Sequence, residues 1–142
     1  MSHRALMLAL LADGETMVSG MLEGEDVLRT ADAVRALGAV IDRRGDGLWR
    51  IDPPETMKQP DDIIDMGNSG TAVRLLAGLV SGYDLEVEFT GDASLCQRPM
   101  NRVIKPLREM GAHCTATGDG LLPLTIKGGN LKAIEYTLPV AS

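Results

Sequence analysis

The sequence predicts a mixed α/β (α+β) fold in which one unit of helices and strands occurs twice. Along the chain, the spacing of the apolar residues alternates between the helical period and the two-residue period of strands. The same order of elements then returns with an offset of about 70 residues, which indicates a duplicated module. With 142 residues, 44% of them hydrophobic and 24% charged, the chain is long enough for one domain with a core.

The first copy begins in a helix. Its sequence, SHRALMLALL, is apolar on nearly all sides, so we expect this helix to be buried over most of its surface. The apolar residues of the next helix share one face, and Gly38 suits its C-terminal cap. Two later strands flank Gly45-Asp46-Gly47, which predicts a hairpin. The predicted elements are helix 2–11, strand 16–22, helix 26–37 and strands 40–43 and 48–51.

The second copy follows a polar linker at 53–62. Its second helix ends in EMGA at 109–112, which aligns with ALGA at 36–39 of the first copy. Its predicted elements are helix 71–80, strand 85–90, helix 100–110 and two strands on either side of Gly118-Asp119-Gly120.

We therefore expect a single incomplete domain over 1–142. Repeat unit one covers about 1–60, repeat unit two about 61–130, and the start of a third about 131–142. The sequence finishes just after an extended run at 134–138, and by the order of elements a third helix would come next. On this pattern we expect the chain to be a piece of a longer protein.

Charge and composition exclude several classes of function. A net charge of -6 and 3% aromatic residues argue against a nucleic-acid surface, which needs basic stripes and stacking rings. Cys96 and Cys114 have no CxxC or metal-ligand spacing, so we expect reduced thiols in the cytoplasm and no metal. The longest apolar run, 5–12, is too short to span a membrane, and no signal peptide of normal shape is present.

The stretch IIDMGNSGTAVRLL at 63–76 carries little side-chain bulk between a strand-like run and a helix. Asn, Ser and Thr are ordinary N-caps, so the stretch could be a simple turn. The first turn of a helix also has unpaired N–H groups and a positive dipole end, which suit an anion. The residues alone leave both interpretations open.

Three motifs resemble the amino-terminal half of the 5-enolpyruvylshikimate-3-phosphate synthase (3-phosphoshikimate 1-carboxyvinyltransferase) family. They are GNSGTAVR at 67–74, GDASLCQRPM at 91–100 and PLREMGA at 106–112, and the opening SHRA and closing PVAS fit as well. The resemblance implies an enolpyruvyl-transferase-like inverse α/β domain built from repeated βαβαββ units. About two of the three units are expected in this chain.

The same resemblance implies an activity. Members transfer the enolpyruvyl group of phosphoenolpyruvate to the 5-hydroxyl of shikimate 3-phosphate, with release of phosphate, in aromatic amino-acid biosynthesis. They use no metal or organic cofactor, and glyphosate inhibits them. Their acid and base residues lie in a carboxy-terminal domain that this chain lacks, so we expect no catalytic residue here and no activity from the chain alone.

The resemblance also assigns substrate-binding residues. Asn68, Gly70 and Thr71 match the loop that lines the phosphoenolpyruvate site, and Arg98 matches the arginine that grips this ligand. Arg4 matches an arginine that contacts shikimate 3-phosphate, and Ser142 matches the first serine of the motif that holds its phosphate. An alanine in place of Gly70 would intrude on glyphosate.

Several of these residues also have a structural interpretation. Asn68 and Thr71 could cap the helix as well as contact a ligand. Arg74, at the repeat-equivalent position of Arg4, is expected to hold the loop through hydrogen bonds. His3 and His113 are not expected to shuttle protons, because neither has an acid or nucleophile beside it in sequence.

Two other functions are alternatives for this sequence. A stand-alone domain that binds small anions or serves in assembly is compatible with the composition. A sister family transfers the enolpyruvyl group to UDP-N-acetylglucosamine and carries a reactive cysteine five residues before its counterpart of Arg98. That position is Ala93 here, and Cys96 lies only two residues before Arg98, which favours the shikimate interpretation.

Overall fold

The computed structural model describes residues 2–21, 24–45, 47–129 and 131–135. Within these ranges it contains four α-helices, one short 3-10 helix at Leu95–Gln97 and seven strands. The longest of these helices has 12 residues, and none has the length and hydropathy that a bilayer crossing requires. The elements are α1 Ser2–Leu11, β1 Thr16–Val18, α2 Glu25–Ala36, β2 Val40–Arg43, β3 Trp49–Asp52, β4 Ile64–Asp65, α3 Gly70–Val80, β5 Glu86–Thr90, α4 Asn101–Met110, β6 His113–Thr117 and β7 Leu121–Lys127.

The strands form two sheets with a shared plan. The first sheet has the order β1-β3-β2 and is antiparallel throughout. The second has the order β4-β5-β7-β6, in which β5-β7-β6 repeats the antiparallel arrangement of the first sheet. Strand β4 adds to this second sheet as a parallel neighbour of β5. The predicted mixture of helices and strands and the repeated order of elements are confirmed.

The helices cover the sheets and form one continuous core. Helix α1 packs on α2 and β3, while α3 packs on α4 and β7. Alternation along β7 turns Leu122, Leu124 and Ile126 inward, as expected of a strand with one face on the core. Trp49 and Phe89 are the largest fully buried side chains. Burial of this apolar surface is what stabilises the pairing of helices with sheets.

The predicted strand at 16–22 is too long. It ends at Val18, because Gly20 has a positive φ of 70° and Met21 donates its N–H to the carbonyl of Gly47 outside the sheet. The short 3-10 helix was not predicted from the sequence. It forms because Asp92 accepts a hydrogen bond from the N–H of Leu95 (2.8 Å) and so closes a local turn. Residues 131–135 belong to neither a helix nor a strand.

The expectation that α1 is buried over most of its surface is confirmed except along one stripe of the helix. Its side chains at Leu8 and Leu11 are 68% and 45% exposed. They line an apolar groove of about 350 Å³ between α1 and α3, with Leu79 and Tyr83 on the opposite wall. Although α1 is apolar on nearly all sides, one stripe of this helix is therefore not covered by any described residue.

Candidate functional site

The loop between β4 and α3 is held in shape by its own polar side chains. Asp65 accepts a hydrogen bond from the N–H of Gly67 at 2.8 Å, and Gly67 has a φ of 60° that favours glycine. Ser69 caps α3, because its Oγ accepts from the N–H of Ala72 at 3.3 Å. The cap is thus Ser69 and not Asn68 or Thr71, so the side chain of Asn68 is available for another contact.

A second loop, after β5, is tied to the first. The N–H of Asp92 donates to the carbonyl oxygen of Gly67 at 2.8 Å. A Cβ on Gly91 would lie 2.7 Å from that same carbonyl oxygen, so only glycine permits this approach of the two backbones. The two motifs that carried the family resemblance are therefore adjacent in space, although Gly67 and Gly91 belong to different loops.

Arg98 follows the 3-10 helix and reaches back to the first loop. Its Nη2 donates to Asn68 Oδ1 at 3.1 Å. A Cβ added to Gly70 would lie 3.1 Å from Arg98 Nη1 and 3.2 Å from Arg74 Nη1. The absent side chain of Gly70 thus leaves room for two guanidinium groups at the first residue of α3. We call Asn68, Gly70, Arg74 and Arg98 the Gly70 site.

The Gly70 site carries positive charge without carboxylates. Within the described part of the chain, Arg74 and Arg98 make no ion pair, whereas Arg29 pairs with Asp65 at 3.1 Å and Arg50 with Glu15 at 2.9 Å. Helix α3 has no acidic residue in its first turn, so its positive dipole end adds to the same field. Planar guanidinium groups and a helix N-terminus are suited to binding a carboxylate or a phosphate.

The structure brings together three of the six predicted substrate-binding residues: Asn68, Gly70 and Arg98. Thr71 is exposed on the first turn of α3, beside this site. Arg4 is exposed on α1, and no contact in the described ranges joins it to the Gly70 site; it lines the apolar groove and a neighbouring recess. The sixth, Ser142, lies outside the described residues.

Sequence reasoning did not place Arg74 in this site. Among the residues that the structure describes, Arg74 makes no hydrogen bond that would hold the loop, contrary to expectation, and its guanidinium faces Gly70 instead. One signal could have found it, since residues four apart on a helix share a face and Arg74 lies four residues after Gly70.

An acidic recess of about 500 Å³ adjoins the same loop. Its lining includes Glu25, Asp26, Asp65, Asp92 and the guanidinium of Arg29. The negative charge of this recess repels anions, and Asn68 of the Gly70 site also contributes to its lining. No group of three or more potential ligand side chains in the described ranges could hold a metal ion.

The histidines and cysteines take no part in the Gly70 site. His3 contacts the hydroxyl of buried Thr30 at 2.7 Å and lies 3.5 Å from a carboxylate oxygen of Asp26. Cys96 directs its Sγ to the carbonyl oxygen of Gly91 at 3.4 Å. Cys114 is buried, and burial raises the pKa of its thiol, an effect that nearby Arg108 partly opposes.

Comparison with known proteins places these motifs in a family. The sequence model described as EPSP synthase (3-phosphoshikimate 1-carboxyvinyltransferase) matches residues 1–142. A 3-phosphoshikimate 1-carboxyvinyltransferase from Phenylobacterium zucineum is 55% identical over 141 residues, which are 99% of this chain and 31% of the relative. Its counterpart from Acidiphilium cryptum is 56% identical over 144 residues, covering 99% and 32%.

A solved structure agrees with the sequence comparisons. EPSP synthase from Acinetobacter baumannii superposes with a TM-score of 0.93 at 46% identity, over 99% of this chain and 33% of that one. The chain thus spans about a third of the length of the relatives that it matches. On the full-length family match and these relatives, the chain belongs to the EPSP synthase (3-phosphoshikimate 1-carboxyvinyltransferase) family.

Proposed function

We propose that this chain supplies one wall of the phosphoenolpyruvate site of an enolpyruvyl transferase. The reaction moves the enolpyruvyl group of phosphoenolpyruvate to the 5-hydroxyl of shikimate 3-phosphate and releases phosphate. The observation that carries the proposal is the approach of Arg98 to both Asn68 and the open Cβ position of Gly70. A guanidinium held at that point, which makes no ion pair in the described ranges, is suited to an anionic ligand.

Each residue of this wall has a proposed task. Arg98 binds phosphoenolpyruvate through its planar guanidinium, and Asn68 orients that group by accepting a hydrogen bond from it. Gly70 leaves the space that the ligand fills, and Thr71 lies beside it on the first helical turn. Arg4 and Ser142 are proposed to contact shikimate 3-phosphate, which would bind next to this wall.

The remaining parts of the proposal concern the whole enzyme. Acid and base groups would come from the rest of the protein, which is this chain's proposed partner, and the reaction would need no metal or organic cofactor. Glyphosate would inhibit the complete enzyme, and its location would be cytoplasmic. Residues 1–60 and 61–130 would be two repeat units, with a third starting at about 131.

A chimera tests the proposal. This chain replaces the matching third of the Phenylobacterium zucineum enzyme, and phosphate release is measured with both substrates. We expect activity, and we expect Arg98→Gln to raise the KM for phosphoenolpyruvate about tenfold or more, because a charge-assisted hydrogen bond is lost. Arg35→Gln, which removes only an exposed pair with Asp32, is the matched control and is expected to change KM less than about twofold.

The outcomes separate the candidate functions. A chimera that folds, by circular dichroism, but releases no phosphate would contradict the enzyme assignment. A stand-alone anion-binding domain is the second candidate, because both guanidinium groups of the Gly70 site come from this chain. If the isolated chain binds phosphoenolpyruvate as tightly as the chimera and the chimera is inactive, this second candidate is favoured.

A further inference from the structure

The Arg74 side chain has no polar partner among its described neighbours. It is half-buried in α3, one helical turn after Gly70, and its Nη1 lies 3.2 Å from the position of a Gly70 Cβ. In the ranges that the structure describes, its guanidinium makes neither a hydrogen bond nor an ion pair. Partial burial of an arginine without a polar partner is unfavourable, and none of the described residues supplies a partner for Arg74.

The second guanidinium at this point is that of Arg98. Arg98 Nη1 lies 3.1 Å from the same Gly70 Cβ position, so the two cationic groups are close neighbours. Like charges this close repel each other, and Asn68, the hydrogen-bond partner of Arg98, brings no negative charge to offset the repulsion. An anion that contacts both groups would turn this repulsion into attraction.

The surroundings of Arg74 leave its side chain room to change conformation. A cavity of about 430 Å³ lies next to it, lined by Arg74, Pro99, Asn101 and Arg102. No carboxylate is among the described residues that line this cavity. Arg102 is an exposed residue on α4 that lines this cavity but is not among the atoms closest to the Gly70 position, so it serves as the control for positive charge near the cavity but away from Gly70.

We propose that Arg74 is a second anion-binding residue of the Gly70 site. Arg74 and Arg98 bind the same anionic group from two sides of the space that Gly70 leaves open. The inference rests on the proposed function, because it takes phosphoenolpyruvate as the ligand of this site. It adds a binding role for an arginine that sequence reasoning treated as structural.

The test is an NMR titration of the 142-residue chain with phosphoenolpyruvate and, separately, with inorganic phosphate. We compare the wild type with Arg74→Gln, Arg98→Gln and the control Arg102→Gln. Loss of one charge-assisted contact predicts roughly tenfold weaker binding for Arg74→Gln and for Arg98→Gln. For Arg102→Gln, which removes the same charge nearby, a change of less than about threefold is expected.

The wild type supplies a second measurement that needs no loss-of-charge variant. The side-chain Nε–Hε signals of Arg74 and Arg98 should both shift on addition of phosphoenolpyruvate, while the signal of Arg102 should stay in place. This keeps the test decisive if Arg74→Gln does not fold. Arg74→Lys, which keeps the charge but loses the planar fork, assigns the Arg74 signal and is expected to bind more weakly than the wild type.

The failures of the two proposals are distinguishable. If Arg98→Gln weakens binding while Arg74→Gln behaves like Arg102→Gln, or the Arg74 signal stays still, the inference about Arg74 is overturned and the proposed function stands. If the wild type shows no shift at either arginine with millimolar phosphoenolpyruvate, the assignment of this wall to that ligand fails as well.

Discussion

Replacing Gly70 with alanine separates the stability of the chain from its ability to bind an anion. The new Cβ would stand 3.1 Å from Arg98 Nη1, 3.2 Å from Arg74 Nη1 and 3.7 Å from Leu95 Cδ1. The first two distances are shorter than the 3.5 to 4.0 Å at which, as a rough guide, nonbonded atoms pack best. Both guanidinium groups would therefore move outward by a few tenths of an ångström.

The effect on folding should be small. The atoms that must move are the far ends of two flexible side chains, and Gly70 does not have a positive φ. The preference for alanine over glycine in a helix interior, roughly 0.5 to 1 kcal/mol, applies only in part at Gly70, the first residue of α3, and offsets part of the crowding. We expect the free energy of unfolding to stay within about 1 kcal/mol of the wild type, or within about 4 °C in the thermal midpoint.

The effect on binding should be larger. The Cβ fills the space proposed for the ligand and displaces both cationic groups from it. Misalignment of one charge-assisted hydrogen bond is worth about 1.5 kcal/mol or more, which corresponds to roughly tenfold weaker binding of phosphoenolpyruvate. Thermal unfolding followed by circular dichroism and an NMR titration with this ligand measure the two effects on one sample.

Gly78→Ala is the matched control, because it makes the same change in the same helix. A Cβ at Gly78 would meet no atom within 4 Å, so this variant should gain stability and bind normally. If Gly70→Ala binds phosphoenolpyruvate as tightly as Gly78→Ala does, the argument from crowding is refuted. A Gly70→Ala chain that does not fold would refute the estimate of a small folding cost.

Three further predictions test the loops and the core. Gly91→Ala should lower the free energy of unfolding by about 2 kcal/mol in urea denaturation. The new Cβ would clash with the carbonyl oxygen of Gly67, which is a backbone atom and cannot change rotamer. An unchanged free energy of unfolding would show that the two loops are not in close contact. Asn68→Ala should weaken phosphoenolpyruvate binding several-fold in the NMR titration, because Arg98 loses the hydrogen bond that orients it, and should leave the melting curve nearly unchanged. A loss of stability as large as the loss of binding affinity would contradict an orienting role for Asn68. Burial raises the pKa of the Cys114 thiol, so the folded chain holds that proton more tightly than the unfolded chain, and stability should fall as pH rises past the ordinary thiol pKa. Urea denaturation at neutral and alkaline pH measures this loss, and Cys114→Ala should show a shallower decline than the wild type.

Local patterns in the sequence were sufficient to predict most of the fold. Helical and strand periods depend on residues a few positions apart, so α2, α3 and α4 were predicted to within a residue or two of their observed bounds. The offset between the two copies predicted the repeated order of helices and strands, whereas the strand order within each sheet came from the structure. Among the site residues, Asn68, Gly70 and Arg98 came from motifs that are continuous in the chain.

Only the tertiary structure decided which side chains meet at the Gly70 site. Asn68 and Arg98 are thirty residues apart, and their contact depends on the hydrogen bond that ties one loop to the other. Composition and spacing do not specify side-chain directions. These directions decide whether Ser69 or Asn68 caps α3, and whether Arg74 faces the loop or the Gly70 site. The apolar sequence of α1 likewise could not reveal which face is covered, because burial of a helix depends on neighbours remote in the chain.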